Sequence, residues 1–514
     1  MIQNPILRGF CPDPSIIRVN NDYYIATSTF EWWPGVRLWH SRDLKHWEQL
    51  PSPLRRQSQL NMIGNPVNGG IWAPCLSYCD GRFYLVYTDV KTQKRPYYNT
   101  HNYLVWSDNI TGEWSDPVYL NSTGFDPSLF HAKNGKKYII NMRNGFKGIL
   151  LQEYDPEKQK LVGPVFNIFP GTDLGYTEGP HLYEHNGWYY LITAEGGTSY
   201  NHCVTVARSK NLTGPYEVDP ANPILTSMDT PDAYLQRAGH ADLVETQNGE
   251  WYMVHLCGRP LQEMRACILG RETAIQKMEW TEDGWIRPVD GRVPARSVAE
   301  PAGIPDYPLP TEPERDDFSS VELPVWYSTL RAYPEGCLSL TERPGWLRLR
   351  GQDSITSLHH VSLVARRQTA SSCTVETGME FHADVPEQVA GLAYIYNNEN
   401  FYMLLQTTNE AGKPMLTFLK SDRNVITETD SPIALVTPGM LRIRLEVNGK
   451  DAQFFYACGK EDWKPAFEPF DCSILSDEHC PGFTGAQFAL YCHDMTGSRK
   501  NADFDYFSVQ QRTH

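Results

Sequence analysis

The sequence predicts an all-β protein: a five-bladed β-propeller followed by a β-sandwich of jelly-roll type. Three observations predict it. A strand–turn–strand pattern returns five times, with copies beginning at residues 13, 72, 126, 178 and 240. Each copy leaves room for two further strands before the next begins. Helical periodicity is almost absent. A four-stranded unit repeated five times is a set of propeller blades, whereas a β-solenoid, the main competitor, has much shorter repeats.

The first copy runs Asp13-Pro-Ser-Ile-Ile, turns at Asn20-Asn21 and returns through Tyr23, Tyr24 and Ile25. The second starts at Trp72, turns at Asp80-Gly81 and returns as Phe83-Tyr-Leu-Val-Tyr-Thr. The third starts at Asp126, turns at Asn134-Gly135 and returns from Lys137. The fourth starts at Glu178, turns at Asn186-Gly187 and returns as Trp188-Tyr-Tyr-Leu-Ile-Thr. The fifth starts at His240, turns at Asn248-Gly249 and returns as Trp251-Tyr-Met-Val-His. Asp-Gly and Asn-Gly between apolar strands signal tight hairpins, because both central residues of the favoured turn need φ > 0. The outer strand pairs fall within Leu38 to Leu50, Tyr103 to Leu120, Ile149 to Ile168, Cys203 to Val218 and Cys267 to Val289.

After Val289 the repeat stops, and residues 301–313 carry five prolines, which reads as an extended connector. Beyond Phe318 short alternating strands follow. In Leu441-Arg-Ile-Arg-Leu-Glu-Val the aliphatic residues share one face and the charged residues the other, a strand with one wet side. Similar runs occur at Trp346 to Arg350, Val361 to Arg366, Leu392 to Tyr396, Phe401 to Gln406 and Phe504 to Val509. The predicted domains are a catalytic propeller over 1–300, a Pro-rich linker over 301–316, and a two-sheet sandwich over 317–514, packed beside the active site.

Composition narrows the function classes. With 46 basic against 61 acidic residues and no basic block, nucleic acid and anionic membranes are poor partners. No apolar run is long enough to span a bilayer, and the N-terminus has neither a basic nor an apolar signal region, which predicts a cytoplasmic protein. Twelve scattered cysteines without a CxxC pair are expected to be free, buried thiols.

The innermost strand of each blade lines the axis, so Asp13, Trp72, Asp126, Glu178 and His240 are predicted to converge at one mouth of the tunnel. Like charges close together cost energy, and a propeller built only for stability has no need of three carboxylates there. Two carboxyl groups of unlike environment are what cleavage of a glycosidic bond requires: one ionised to activate water, one protonated to serve the leaving oxygen.

The runs Asn4-Pro-Ile-Leu-Arg-Gly-Phe-Cys-Pro-Asp-Pro-Ser, Gly70-Ile-Trp-Ala-Pro, Gly124-Phe-Asp-Pro-Ser-Leu-Phe, Thr177-Glu-Gly-Pro-His-Leu-Tyr, Ala238-Gly-His-Ala-Asp and Leu269-Gly-Arg-Glu-Thr-Ala resemble glycoside hydrolase family 43. The likeness spans the propeller and continues into the sandwich, and within the family it is greatest to the two-domain β-xylosidases, many of which also cleave α-L-arabinofuranosides. It implies an exo-acting, inverting hydrolase that releases xylose from the non-reducing end of β-1,4-xylooligosaccharides, with α-L-arabinofuranosidase as a side activity or as the alternative main one. Asp13 matches the general base and Glu178 the general acid. Asp126 matches a third carboxylate that raises the acid's pKa and orients it. Arg271 matches an arginine that binds sugar hydroxyls, and Phe30, Trp72 and Phe125 match pocket walls. Phe483, from the sandwich, is a further aromatic candidate.

His240 matches a histidine at the pocket base that in parts of the family faces a calcium ion or water in the tunnel; a hydrogen-bonded core imidazole is the plainer reading. No cofactor beyond such an ion is expected. The expected partner is a xylooligosaccharide, and the expected assembly a homo-oligomer, dimer or tetramer. The run 142–147 is shorter than its counterpart in close relatives, a departure on the leaving-group side. The rivals are a non-catalytic carbohydrate-binding propeller, an endo-arabinanase, and a retaining fructan-processing enzyme of the same five-bladed plan.

Overall fold

The structure, a computed structural model, describes residues 1–94, 96–437 and 439–512. Five antiparallel sheets form the propeller. Blade 1 contains Ser15–Val19, Asp22–Thr27, Arg37–Ser41 and Glu48–Leu50. Blade 2 contains Gly70–Cys79, Arg82–Thr92, Asn99–Ser107 and Val118–Asn121. Blade 3 contains Ser128–His131, Lys137–Met142, Ile149–Asp155 and Lys160–Phe169. Blade 4 contains Glu178–His185, Trp188–Glu195, Cys203–Ser209 and Glu217–Val218, with Leu225–Thr226 added beside its third strand. Blade 5 contains Gln236–Glu245, Trp251–Gly258, Glu272–Trp280 and Ile286–Pro288.

The turns are of two kinds. Asp80-Gly81 and Asn186-Gly187 are two-residue loops with both residues at positive φ, the expected geometry. At Asn134-Gly135 and Asn248-Gly249 only the glycine has positive φ. There five residues separate the paired ends, His131 from Lys137 and Glu245 from Trp251, so those hairpins use longer loops than the dipeptides suggest.

Each blade buries one face against the next. Ile16, Tyr23 and Ile25 of blade 1 pack with Val244, Tyr252 and Val254 of blade 5, and Ile192 and Val204 of blade 4 pack with Leu243 and Met253 of blade 5. Burying each such side chain contributes about 1.5–3 kcal/mol, so the inter-blade seams carry much of the stability. The N-terminus closes the ring onto blade 5. Ile2 and Gln3 pair with Val298 and Ser297. The buried Asn4 side chain donates to Ile275 O and Ala295 O at 2.7 and 2.9 Å, and accepts from Ile275 N at 2.9 Å.

The chain divides into two compact units. One comprises Met1–Phe30, Gly35–Arg259 and Arg271–Thr311, the other Glu31–Pro34, Pro260–Gly270 and Glu312–His514. Two short segments inside 1–300 thus belong to the second unit, where Trp32–Trp33 pairs with Thr329–Leu330. Residues 302–307 are tied down within the first unit: Ala302 N donates to Glu250 and Tyr307 N to Asp43. The second unit is a sandwich of two antiparallel sheets centred on Ser372–Phe381, Leu441–Asn448 and Asn501–Arg512 in one and Ser362–Arg367, Gln388–Asn397 and Asn400–Thr408 in the other. In Leu441–Asn448 every second residue from Leu441 to Val447 is buried, as the alternation predicts. None of the twelve cysteines is joined in a disulfide, and only Cys79 is not buried. Among the described residues no helix is long and apolar enough to cross a membrane.

Candidate active site

Three of the five strand heads share an unusual backbone. Asp13, Asp126 and His240 have φ of 53°, 53° and 46°. Asp and His are among the side chains that tolerate this left-handed region best, and its use outside turns marks places where side-chain direction outranks backbone comfort. In blade 4 the feature moves one residue, to Gly179 at φ 56°. Bulges interrupt the inner ladders between Trp72 and Cys75, between Glu178 and His181 and between Gly239 and Ala241, each re-aiming the residue at the strand head.

The result is a buried cluster of carboxyls. Asp13, Asp126 and Glu178 are 7%, 7% and 6% exposed. The Ser28 hydroxyl donates to Asp13 Oδ2 at 2.6 Å, while Asp13 Oδ1 lies 3.9 Å from His240 Nδ1. Gly179 N donates to Asp126 Oδ2 at 3.0 Å, which ties the third carboxyl to the strand that carries Glu178.

Burial, opposed by the Arg271 guanidinium and reinforced by the charge of Asp13, pushes Glu178 up to about 8. Asp126 is held well above the usual carboxylate range, first by burial and then by the charges of Glu178 and Asp13. Asp126 and Glu178 share one buried site, so ionising either makes ionising the other harder, and the bond from Gly179 N gives Asp126 an orienting role beside that.

Burial also pushes His240 down to about 4, so it is a neutral imidazole, packed where Gly179 leaves no room for a Cβ (3.0 Å to the ring). Among the described residues no group of three or more His, Cys, Asp or Glu side chains is gathered as a metal would need.

Arg271, 3% exposed, and Arg237, 5% exposed, both donate to the Thr198 carbonyl, at 3.3 and 3.2 Å. Behind them the buried His202 donates from Nδ1 to Arg237 O at 3.2 Å, which leaves Nε2 as its unprotonated nitrogen. Burial, with Arg271 next, holds His202 well below the ordinary histidine range. Its ring occupies the space that a Cβ on Gly239 would take, 2.4 Å away.

The predicted walls meet as rings. Phe30 and Trp72 centroids are 6.4 Å apart, and Trp72 meets Phe125 edge to face at 5.0 Å. Trp72 Nε1 donates to Asn68 O at 2.8 Å, which fixes the indole plane. Phe483 is half-buried in the second unit, on the segment before Gln487–Asp494. Below the strand heads the five inner strands line a cavity of 310 Å³. Here Asp242 fastens blade 5 to blades 1 and 4: Ser15 Oγ and Ile16 N donate to it at 2.9 and 2.8 Å, and the Tyr183 hydroxyl donates as well.

Ser28, Gly179, Thr198, His202 and Arg237 were not expected from the sequence. Gly179 alone had a signal, as the glycine that directly follows the acid candidate; the others act through contacts between blades.

Residues 2–286 match the family described as Glycosyl hydrolases family 43, and residues 315–510 match the Beta xylosidase C-terminal Concanavalin A-like domain. The chain is 47% identical to the Xylosidase/arabinosidase 43B of Humicola insolens, over 100% of this chain and 98% of that protein. It is 46% identical to the Xylan 1,3-beta-xylosidase of a Vibrio species, over 98% of each. Among solved structures it is similar to the xylan beta-1,4-xylosidase of Bacillus halodurans C-125, with a TM-score of 0.97, 50% identity, and coverage of 99% of this chain and 100% of that one.

Proposed function

This chain belongs to family 43 of the glycosyl hydrolases, and from that premise we propose that it is an exo-acting β-xylosidase that removes xylose from non-reducing ends of β-1,4-xylooligosaccharides with inversion. The single observation that carries the assignment of roles is the proton inventory of the carboxyl cluster. A carboxyl pushed up to about 8 still holds its proton near neutrality, which is the condition for a general acid.

In this reading Glu178 passes its proton to the glycosidic oxygen as the C1–O bond breaks, so the leaving sugar departs as a neutral alcohol. Asp13, set by Ser28 and beside His240, takes a proton from a water that attacks C1 from the opposite face. The water oxygen ends on C1, one of its protons on Asp13 and the acid's proton on the leaving group. An inverting pair stands roughly 6.5–9.5 Å apart to leave room for that water. Asp126 holds the head of the Glu178 strand through Gly179, and Arg271, anchored on Thr198, is placed to receive sugar hydroxyls. The aromatic walls Phe30, Trp72 and Phe125 suit the apolar faces of a pyranose.

The relatives include proteins named for xylosidase and arabinosidase together, so α-L-arabinofuranosidase is the side activity of this reading. The test is purified enzyme on p-nitrophenyl β-D-xyloside, p-nitrophenyl α-L-arabinofuranoside, β-1,4-xylobiose and β-1,3-xylobiose. The expected order of kcat/KM places β-1,4-xylobiose above β-1,3-xylobiose and the xyloside above the arabinofuranoside. Turnover of the arabinofuranoside without turnover of either xylobiose would overturn the reading.

A further inference from the structure

Glu272, the residue after Arg271, is fully buried and takes no part in the proton transfers of the cleavage. A buried carboxylate is costly unless its charge is paired and its lone pairs are filled. Here Arg259 grips it with two bonds, Nε to Oε2 at 2.6 Å and Nη2 to Oε1 at 2.8 Å, and Gly9 N adds a third, to Oε1 at 2.7 Å. Two-toothed pairing of this kind fixes direction as well as distance. Three observations connect this knot to the chemistry.

The first is its place. The chain leaves the first unit at Arg259 and re-enters it at Arg271, so the ion pair closes the neck of the excursion 260–270. Glu272 heads the strand Glu272–Trp280, opposite Cys257, and whatever holds Glu272 also sets where the backbone of Arg271 stands.

The second is what Gly9 leads to. Asp13 lies four residues further on. From Leu7 to Cys11 the chain runs beside the Arg271 strand: Leu7 and Thr273 exchange backbone bonds at 3.1 Å, Cys11 N donates to Arg271 O at 2.8 Å, and the Thr273 hydroxyl donates to Cys11 O at 2.6 Å. Gly9, at φ 70°, sits in the left-handed region that glycine takes freely, and its N–H meets the Glu272 carboxylate there.

The third is the charge of Arg271. The groups that act on Glu178 are Arg271, Asp13 and Asp126. The guanidinium of Arg271 outweighs the charge of Asp13 and holds the acid below where burial alone would put it. A shift of Arg271 away from the site therefore raises Glu178.

We propose that Glu272, gripped by Arg259, is a positioning residue for hydrolysis: it fixes the segment that leads to Asp13 against the strand that carries Arg271, so that the base and the sugar hydroxyls held by the arginine keep one spacing. This rests on the reading of Asp13 as base, Glu178 as acid and Arg271 as sugar ligand, and adds the residue that sets their relation. Misplacement by about 1 Å from a distant change can cost on the order of a hundredfold in rate.

The experiment measures kcat and KM on β-1,4-xylobiose across the alkaline range, with urea unfolding to confirm the fold. Glu272→Gln keeps the size of the side chain and an acceptor for Gly9 N but gives up the ion pair. KM is expected to rise about tenfold, as loss of a charge-assisted contact to a sugar does. The alkaline limb of kcat/KM should move up by about half a pH unit or more, because an opposite charge within about 4–6 Å is worth about 1–3 units. Removing the negative charge of Glu272 acts in the other direction, since loss of a like charge lowers an acid, so an upward move reports the position of Arg271. A purely structural loss lowers the folded fraction and with it kcat, and leaves KM and the limb in place. Arg259→Lys, which keeps the charge but not the fork, should show the same upward move to a smaller extent, and it decides the matter if Glu272→Gln does not fold. An unmoved limb in a folded variant would leave the pair a structural staple, and a limb moved down would mean that Glu272 acts by its charge; either result overturns the proposal. A parent enzyme inactive on both xylobiose and p-nitrophenyl β-D-xyloside would instead overturn the β-xylosidase reading on which it rests.

Discussion

Replacing Glu178 by glutamine should make the protein more stable, and increasingly so as pH rises. Glu178 ionises at about 8 in the folded protein against 4.5 when unperturbed. Between those values the unfolded chain has lost a proton that the folded chain still holds, so the folded state loses stability with each pH unit. The contribution is fully present below 4.5 and is gone once the pH has risen through about 8. One pH unit corresponds to at most ~1.4 kcal/mol, so from pH 5.5 to 7.5 the parent should lose on the order of 2–3 kcal/mol that Glu178→Gln keeps. The assay is urea unfolding of both proteins at the two pH values, followed by tryptophan fluorescence. The stability advantage of the variant should grow by on the order of 2–3 kcal/mol across the interval. An advantage that is the same at both pH values would mean that Glu178 is already ionised in the folded protein, and its role as acid would fall with it.

Two further outcomes follow. Asp126→Asn should lower kcat/KM by about tenfold or more through poorer placement of the Glu178 strand head, and the alkaline limb of the profile on an activated aryl xyloside should move to lower pH, because like charges in one site raise each other. An unmoved limb would leave Asp126 as an orienting group alone. Gly239→Ala would drive a Cβ into the His202 ring, with contacts of 2.4–2.5 Å, and should cost about 1–3 kcal/mol in urea unfolding; removing the ring as well, in Gly239→Ala/His202→Ala, should not add the two single losses, and strict additivity would contradict the clash.

The five blades were legible because a hairpin announces itself locally: turn residues, alternation and Tyr-rich return strands all lie within a dozen positions. So were the carboxyls, since equivalent positions in a repeat must converge when the repeat closes on an axis. What stayed hidden depends on distance in sequence. Ser28 reaches Asp13 only after blade 1 folds back, and Thr198 serves two arginines 39 and 73 residues away. The longer loops at Asn134-Gly135 and Asn248-Gly249 show that the dipeptide marks a turn without fixing its length. The transfer of Trp32–Trp33 to the second unit had no local sign, because it depends on pairing with Thr329–Leu330, almost three hundred residues on. The depth of burial at the carboxyls was also beyond the sequence: it raises Asp126 as well as Glu178.

The account stands most directly on the stereochemistry of the first product. Hydrolysis by fresh enzyme of p-nitrophenyl β-D-xyloside, whose only sugar product is the glycone, followed by proton NMR before mutarotation proceeds, reads whether water or a side chain attacks C1. If Asp13 activates water against a bond that Glu178 protonates, the released xylose appears first as the α-anomer, and β-xylose grows in only at the rate of mutarotation. Initial release of β-xylose would require a covalent glycosyl-enzyme intermediate and would contradict the assignment of Asp13 as base.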